Sequence, residues 1–64
     1  MTICMTNGGM YNNIVSINNT KITELDSIQI IILFQTYDYL NIEFKNEKKV
    51  LLCTKCISSV NFFD

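Results

Sequence analysis

The sequence predicts an all-β fold: a small antiparallel meander or open barrel of about five strands, with room for one short helical turn near residues 20–27. Two observations carry this prediction. Apolar and polar residues alternate over residues 39–45, which is typical of a strand with one buried face. Residues 28–36 are dense in β-branched side chains, which favour an extended segment over a helix. An α+β fold is the alternative.

The first third of the chain is predicted to hold two short strands, at residues 2–6 and 11–17. The Asn-Gly-Gly sequence at residues 7–9 predicts a hairpin turn between them, because asparagine and glycine tolerate a positive φ. Residues 21–27 fit either a loop or one helical turn, since their apolar residues recur at helical spacing.

The central segment, residues 28–36, is the most apolar part of the chain. As a strand it would carry isoleucines on one face and Ile31 and Leu33 on the other. A strand that is apolar on both faces should be covered on both. This segment is therefore predicted to lie centrally in the sheet.

The second half predicts a β-hairpin, with strands at residues 39–45 and 50–54 around a polar loop at 46–49. A bend at residues 54–56 and a last strand at 57–63 follow.

The length of the hairpin loop decides which side chains face the core. A two-residue turn places Val50 and Leu52 on the outer face, whereas an odd number of loop residues leaves Leu51 there instead. Apolar side chains remain on the outer face in both cases.

The chain is expected to be a single domain of 64 residues, too small to cover a second apolar face on three consecutive strands. The most economical cover is another copy of the same chain, so a homo-oligomer is predicted. Apolar residues scattered singly over the surface are the simpler alternative. The expected contact residues are apolar or aromatic: Ile31, Leu33, Val50, Leu52, Tyr37 and Tyr39.

The composition argues against several classes of function. The chain contains no histidine and no arginine, which removes the usual acid–base catalyst near neutral pH and the bidentate phosphate ligand. We therefore expect no enzymatic activity and no cofactor. No signal peptide or membrane-length apolar run is visible, so a cytoplasmic location with reduced cysteines is expected.

Cys53-Thr54-Lys55-Cys56 is the one recognisable motif. A redox pair of this spacing should open a helix after a strand, and no helix is predicted here. A zinc site needs two further ligands, and because Cys4 is the only other cysteine, Asp64 or a second copy of the chain would have to complete the set. Packing of both thiols at a strand end is the interpretation we prefer.

Four of the five lysines lie near the predicted hairpin: Lys45, Lys48, Lys49 and Lys55. Small β-barrels bind single-stranded nucleic acid with basic and aromatic surfaces, so this function is the main alternative. The same lysines could instead protect a hairpin edge from aggregation.

Taken together, these features predict a small non-enzymatic binding protein that acts as a homo-oligomer. It would bind a host protein or enclose a small ligand between subunits. Accessory or inhibitor proteins of phages and mobile elements have this size and composition. No cofactor and no membrane association are expected.

Overall fold

A computed structural model describes residues 1–62 of the chain, which form two antiparallel sheets, an α-helix and two 3₁₀ turns. The strand order is β2-β1-β7 in the first sheet and β4-β3-β5-β6 in the second. Over these residues the sheets do not close into a barrel, and the predicted β-rich fold is confirmed. The elements are β1 (Thr2–Met5), β2 (Met10–Tyr11), β3 (Ile14–Ile17), β4 (Thr20–Lys21), α1 (Ser27–Thr36), β5 (Tyr39–Phe44), β6 (Lys49–Cys53) and β7 (Ile57–Asn61).

The predicted hairpin at the start of the chain is confirmed. Strand β1 pairs with β2, and the amide of Met5 donates to the carbonyl of Gly9 at 2.7 Å. Gly8 has a φ of 90°, a conformation that glycine adopts without the steric cost of a Cβ atom. The side chain of Asn7 accepts from the amide of Gly9 at 2.9 Å and closes the turn.

The strand predicted at residues 11–17 is divided into β2 and β3. Asn13 has a left-handed φ of 57°, which interrupts the extended chain and carries it from the first sheet to the second. Asparagine is among the few L-residues that adopt this conformation readily. A 3₁₀ turn at Ile22–Glu24 confirms the helical turn expected near residues 20–27.

The central hairpin of β5 and β6 is confirmed, and its loop has an odd number of residues. The amide of Phe44 donates to the carbonyl of Lys48 at 2.9 Å, which leaves residues 45–47 in the loop. Glu47 occupies the left-handed position of this loop, with a φ of 67°.

The loop length decides the register, and the second of the two predicted registers is present. Leu40 pairs with Leu52 and Ile42 with Val50, so these residues share the face toward the core. Leu52 is only 3% exposed, whereas Leu51 is 63% exposed on the outer face. The prediction that Val50 and Leu52 lie on the outer face is therefore wrong, because both residues face the core.

The prediction of a strand at residues 28–36 is wrong, because this segment forms the helix α1. Asp26 begins the helix through a capping box: its carboxylate accepts from the amide of Gln29 at 2.8 Å, and its own amide donates to the Gln29 side chain at 3.0 Å. These bonds satisfy backbone donors that a helix start leaves free. β-Branched residues reduce helix propensity only slightly, so capping and packing outweigh it.

The core lies between the helix and the inner faces of both sheets. Ile30 is the buried residue of α1, and Leu33 and Phe34 are half-buried and pack against the core. The buried hydrophobic residues are Ile3, Ile14, Ile17, Ile30, Leu40, Ile42 and Leu52. Strand β7 matches the strand predicted at 57–63, of which Phe63 lies outside the described residues.

Candidate functional site

The outward face of α1 carries the most unusual surface of the described chain. Ile28, Ile31 and Ile32 are 68%, 43% and 53% exposed, and we call these three residues the helix stripe. They stand at positions i, i+3 and i+4, which places them on one side of a helix. A helix at a protein surface usually turns polar residues to solvent, so this arrangement makes the helix stripe a candidate contact surface.

No residue of α1 is charged, from Ser27 to Thr36. The apolar side chains therefore surround the helix, and only Ser27, Gln29, Gln35 and Thr36 interrupt them. A helix that is apolar on all sides is normally covered on all sides. Residues 1–62 cover the helix stripe only in part, since its members remain 43–68% exposed.

Sequence reasoning missed the helix, although a signal for it was present. Asp26 and Gln29 have the spacing of a capping box, directly before an apolar run. With that start, the isoleucines fall at helical spacing on two opposite faces. Residues 28–36 hold so many isoleucines that apolar residues recur at both the two-residue spacing of a strand and the three- to four-residue spacing of a helix. The helical period was therefore not distinguishable.

The six predicted contact residues do not lie on one surface. Ile31 belongs to the helix stripe, and Tyr37 follows the helix as its exposed C-terminal cap residue. Leu33 is half-buried against the core. Tyr39 is exposed on the outer face of β5.

The two predicted contact residues of β6 are the least accessible. Val50 is half-buried, and Leu52 offers almost no surface to a partner. Leu51, which the prediction omitted, shares the outer face with Tyr39: Asn41 pairs with Leu51, and Tyr39 pairs with Cys53 two positions further on. Tyr39 and Leu51 form a second, smaller apolar surface.

The four lysines of the alternative prediction separate into two places. Lys45, Lys48 and Lys49 lie at the tip of the β5–β6 hairpin. Lys55 lies in the 3₁₀ turn Thr54–Cys56, beyond the opposite end of β6. Each residue of a strand spans about 3.3 Å, so most of the length of β6 separates Lys55 from the three lysines at the hairpin tip.

An open cleft of ≈ 280 Å³ adjoins the hairpin tip. The rings of Tyr11 and Phe44 lie in its wall with their centroids 5.8 Å apart, and Lys45 stands beside them. Side-chain amides of Asn12, Asn13 and Asn46 complete most of the lining. Aromatic faces, amides and a cation are groups that bind single-stranded nucleic acid.

Cys53 and Cys56 are brought together by the 3₁₀ turn that joins β6 to β7. The pKa of the Cys56 thiol is raised, first by hydrogen bonding with the Cys53 side chain and then by repulsion from a negative charge on Cys53. Both cysteines are free thiols, Cys56 exposed and Cys53 half-buried. Among residues 1–62, no three cysteine or carboxylate side chains converge as a metal-binding group.

Comparisons with known proteins add nothing to this geometry. No protein-family model matches the chain, and no curated protein or solved structure is significantly similar to it. Within residues 1–62, no helix has the length and apolar character needed to cross a membrane.

Proposed function

We propose that the chain is a non-enzymatic binding protein that assembles as a homo-oligomer through the helix stripe. The observation that carries the proposal is the exposure of Ile28, Ile31 and Ile32 on a helix without any charged residue. Removing such side chains from water is favourable by roughly 1.5–3 kcal/mol for a fully exposed isoleucine. The helix stripe therefore favours a partner that is itself apolar.

A second copy of the same chain fits this surface. In a symmetric dimer the same patch of both subunits meets, so residue i contacts j and j contacts i. With two helices antiparallel and centred between Ile31 and Ile32, each of these residues faces the other. Ile28 then faces Gln35 of the second copy.

The charges at the helix ends are compatible with that pairing. Asp26 would approach Tyr37 of the second copy, so no acidic side chain would face another acidic side chain. Antiparallel helices also bring opposite ends of the helix dipoles together. A strongly charged partner surface would form no ion pair with α1, because α1 has no charged residue.

The affinity of one copy of the chain for the other should be modest. A helix pair buries about six half-exposed isoleucines, and association costs at least 4 kcal/mol in lost freedom of movement. We expect a dissociation constant in the micromolar range, on the order of 1–100 μM.

Light scattering on a sizing column tests the proposal across a concentration series. The wild-type chain should change from monomer to dimer, and Ile32→Lys should remain monomeric at every concentration. Met10→Lys is the matched control, because Met10 is 64% exposed and lies in β2 of the first sheet, not on α1. A wild-type chain that stays monomeric at high micromolar concentration would refute the proposal.

A further variant separates the helix stripe from the outer sheet. If Leu51→Lys abolished the dimer while Ile32→Lys left it intact, the contact would lie on the Tyr39 and Leu51 surface and the helix stripe would be excluded. The predicted phage or mobile-element setting, the inhibitor role and the cytoplasmic location stay predictions.

Single-stranded nucleic-acid binding is the second candidate, and the cleft beside Lys45 favours it. Binding through the hairpin lysines should weaken steeply with salt, since lysine contacts with phosphate release counterions. Fluorescence anisotropy with a labelled oligonucleotide should show loss of binding for Lys48→Glu combined with Lys49→Glu. Lys55→Glu is the control, because Lys55 lies at the far end of β6. Because Lys55→Glu changes half as much charge as the double variant, a loss of binding free energy half as large would indicate only a general effect of charge.

A further inference from the structure

The turn between β6 and β7 holds two cysteines in a fixed relation. Cys53 is the last residue of β6 and precedes the 3₁₀ turn Thr54–Cys56, in which Cys56 is the last residue. Cys53 is the N-cap residue of this turn, with an extended φ of −81° and ψ of 117°, so only Thr54 and Lys55 separate it from Cys56. The N-cap residue and the third residue of a helical turn lie close enough for their side chains to interact, as they do in a capping box.

Hydrogen bonds anchor the turn on both sides. The hydroxyl of Thr54 donates to the carbonyl of Tyr37 at 2.7 Å, and its amide donates to the carbonyl of Asp38 at 2.9 Å. The carbonyl of Cys56 accepts from the amide of Thr6 at 2.8 Å. Cys53 is itself paired with Tyr39 in the sheet. The backbone of both cysteines is thus fixed before any reaction.

The two thiols differ in access, and a cation lies between them in the sequence. Cys56 is exposed and Cys53 is half-buried. Lys55 is exposed and is the basic residue of the turn, which has no acidic residue in its first turn. An anionic reagent would be attracted to this position. Cys53 raises the pKa of the Cys56 thiol, which agrees with the proximity of the two side chains and means that the thiolate needed for exchange becomes more abundant as the pH rises.

We propose that Cys53 and Cys56 form a redox-active dithiol that exchanges with low-molecular-weight disulfides of the glutathione type. The Cys56 thiolate attacks one sulfur of glutathione disulfide, forms a mixed disulfide and releases one glutathione. The Cys53 thiolate then attacks the Cys56 sulfur, forms the Cys53–Cys56 bond and releases the second glutathione. Two protein thiols lose their protons and are oxidised, while one glutathione disulfide is reduced to two glutathione molecules.

A structural role for this disulfide is less compatible with its position. A disulfide stabilises a protein mainly by closing a loop in the unfolded chain, and the effect grows with loop length. The loop between Cys53 and Cys56 contains only Thr54 and Lys55. The bond would therefore restrict the unfolded chain very little, which suits a reversible exchange.

Mass spectrometry of the full-length chain tests the assignment after reaction with glutathione disulfide and alkylation of the remaining thiols. The wild type should lose two hydrogens, retain no glutathione and keep one alkylated thiol at Cys4. Cys4→Ser is the matched control and should form the same internal disulfide. Cys53→Ser should instead retain one glutathione, at Cys56.

Two further measurements can overturn the assignment. The half-buried Cys53 should react in Cys56→Ser on the order of tenfold more slowly than Cys56 reacts in Cys53→Ser. The equilibrium constant for the internal disulfide should also fall severalfold in concentrated urea, where the turn is lost. In the Cys4→Ser chain, stable mixed disulfides, disulfide-linked dimers, or an equilibrium unchanged by urea would each refute the proposal.

Discussion

Left-handed backbone positions show how single residues shape this chain. Asn13, Asn18 and Asn19 adopt φ values of 57°, 51° and 65°, and asparagine tolerates this region better than most residues. The amide of Asn18 donates to the carbonyl of Asn41 at 2.8 Å, so its turn is tied to β5. Glu47 is the exception, because a glutamate has no particular preference for its φ of 67°.

Replacing Glu47 with glycine should stabilise the protein. Glycine adopts the left-handed conformation without a steric penalty, and the side chain of Glu47 is exposed. We expect Glu47→Gly to raise the free energy of unfolding by about 0.5–1 kcal/mol, measured by urea denaturation. Lys48→Gly should be destabilising, since Lys48 has no positive φ. A loss of stability in both variants would show that position 47 is not strained.

At the level of elements, α1 depends on its first turn. Its uncharged sequence supplies no ion pairs along its surface, and its isoleucines are modest helix formers. The capping box of Asp26 and Gln29, the burial of Ile30 and the packing of Leu33 and Phe34 are therefore the interactions that favour this helix over an extended segment.

Asp26→Ala should destabilise the folded chain by about 1 kcal/mol, because it removes the acceptor for the Gln29 amide. Urea denaturation followed by circular dichroism measures the change. Glu24→Ala is the control, since it removes an exposed acidic residue that does not cap the helix. Equal effects in both variants would attribute the loss to charge and not to capping.

The register of the central hairpin can be tested with two adjacent leucines. Leu52→Ala should cost about 2–5 kcal/mol of stability, because it creates a cavity in the core. Leu51→Ala should change stability by less than about 0.5 kcal/mol, since Leu51 faces solvent. Thermal or urea unfolding distinguishes the two. A reversed order would place the hairpin in the other register.

The sequence predicts the parts of the fold that depend on local alternation and turn chemistry. The hairpin at residues 7–9, the β5–β6 hairpin and the bend before β7 all follow from such signals. Residues 28–36 could not be assigned by periodicity, because a nearly continuous run of isoleucine fits both periods. The helix stripe was missed for the same reason, and the position of Leu51 depended on one loop residue.

At the scale of the whole molecule, the apolar surface is divided unevenly. The core encloses Ile30 and the inner faces of both sheets, while the helix stripe remains on the outside. A chain of 64 residues has little interior in which to place further side chains. The proposed contact between two copies would cover the stripe.

Association through the helix stripe should make the melting temperature depend on protein concentration. A dimer forms only from folded chains, so a higher concentration should raise Tm. Differential scanning calorimetry or fluorimetry over a wide concentration range measures this shift. Ile32→Lys should melt at one temperature throughout, and a concentration-independent Tm for the wild type would count against the dimer.

The pairing of β1 with β7 has a mechanical consequence. Thr2 pairs with Asn61 at one end of this antiparallel pair, so a force applied through the two chain ends acts on the same end of the ladder. Under that load the inter-strand hydrogen bonds break one after another, as in a zipper, and are not sheared together. In strand β7 only Ile57 and Val60 are half-buried against the core, and no residue is fully buried. The protein should therefore yield at low force when it is pulled from both ends.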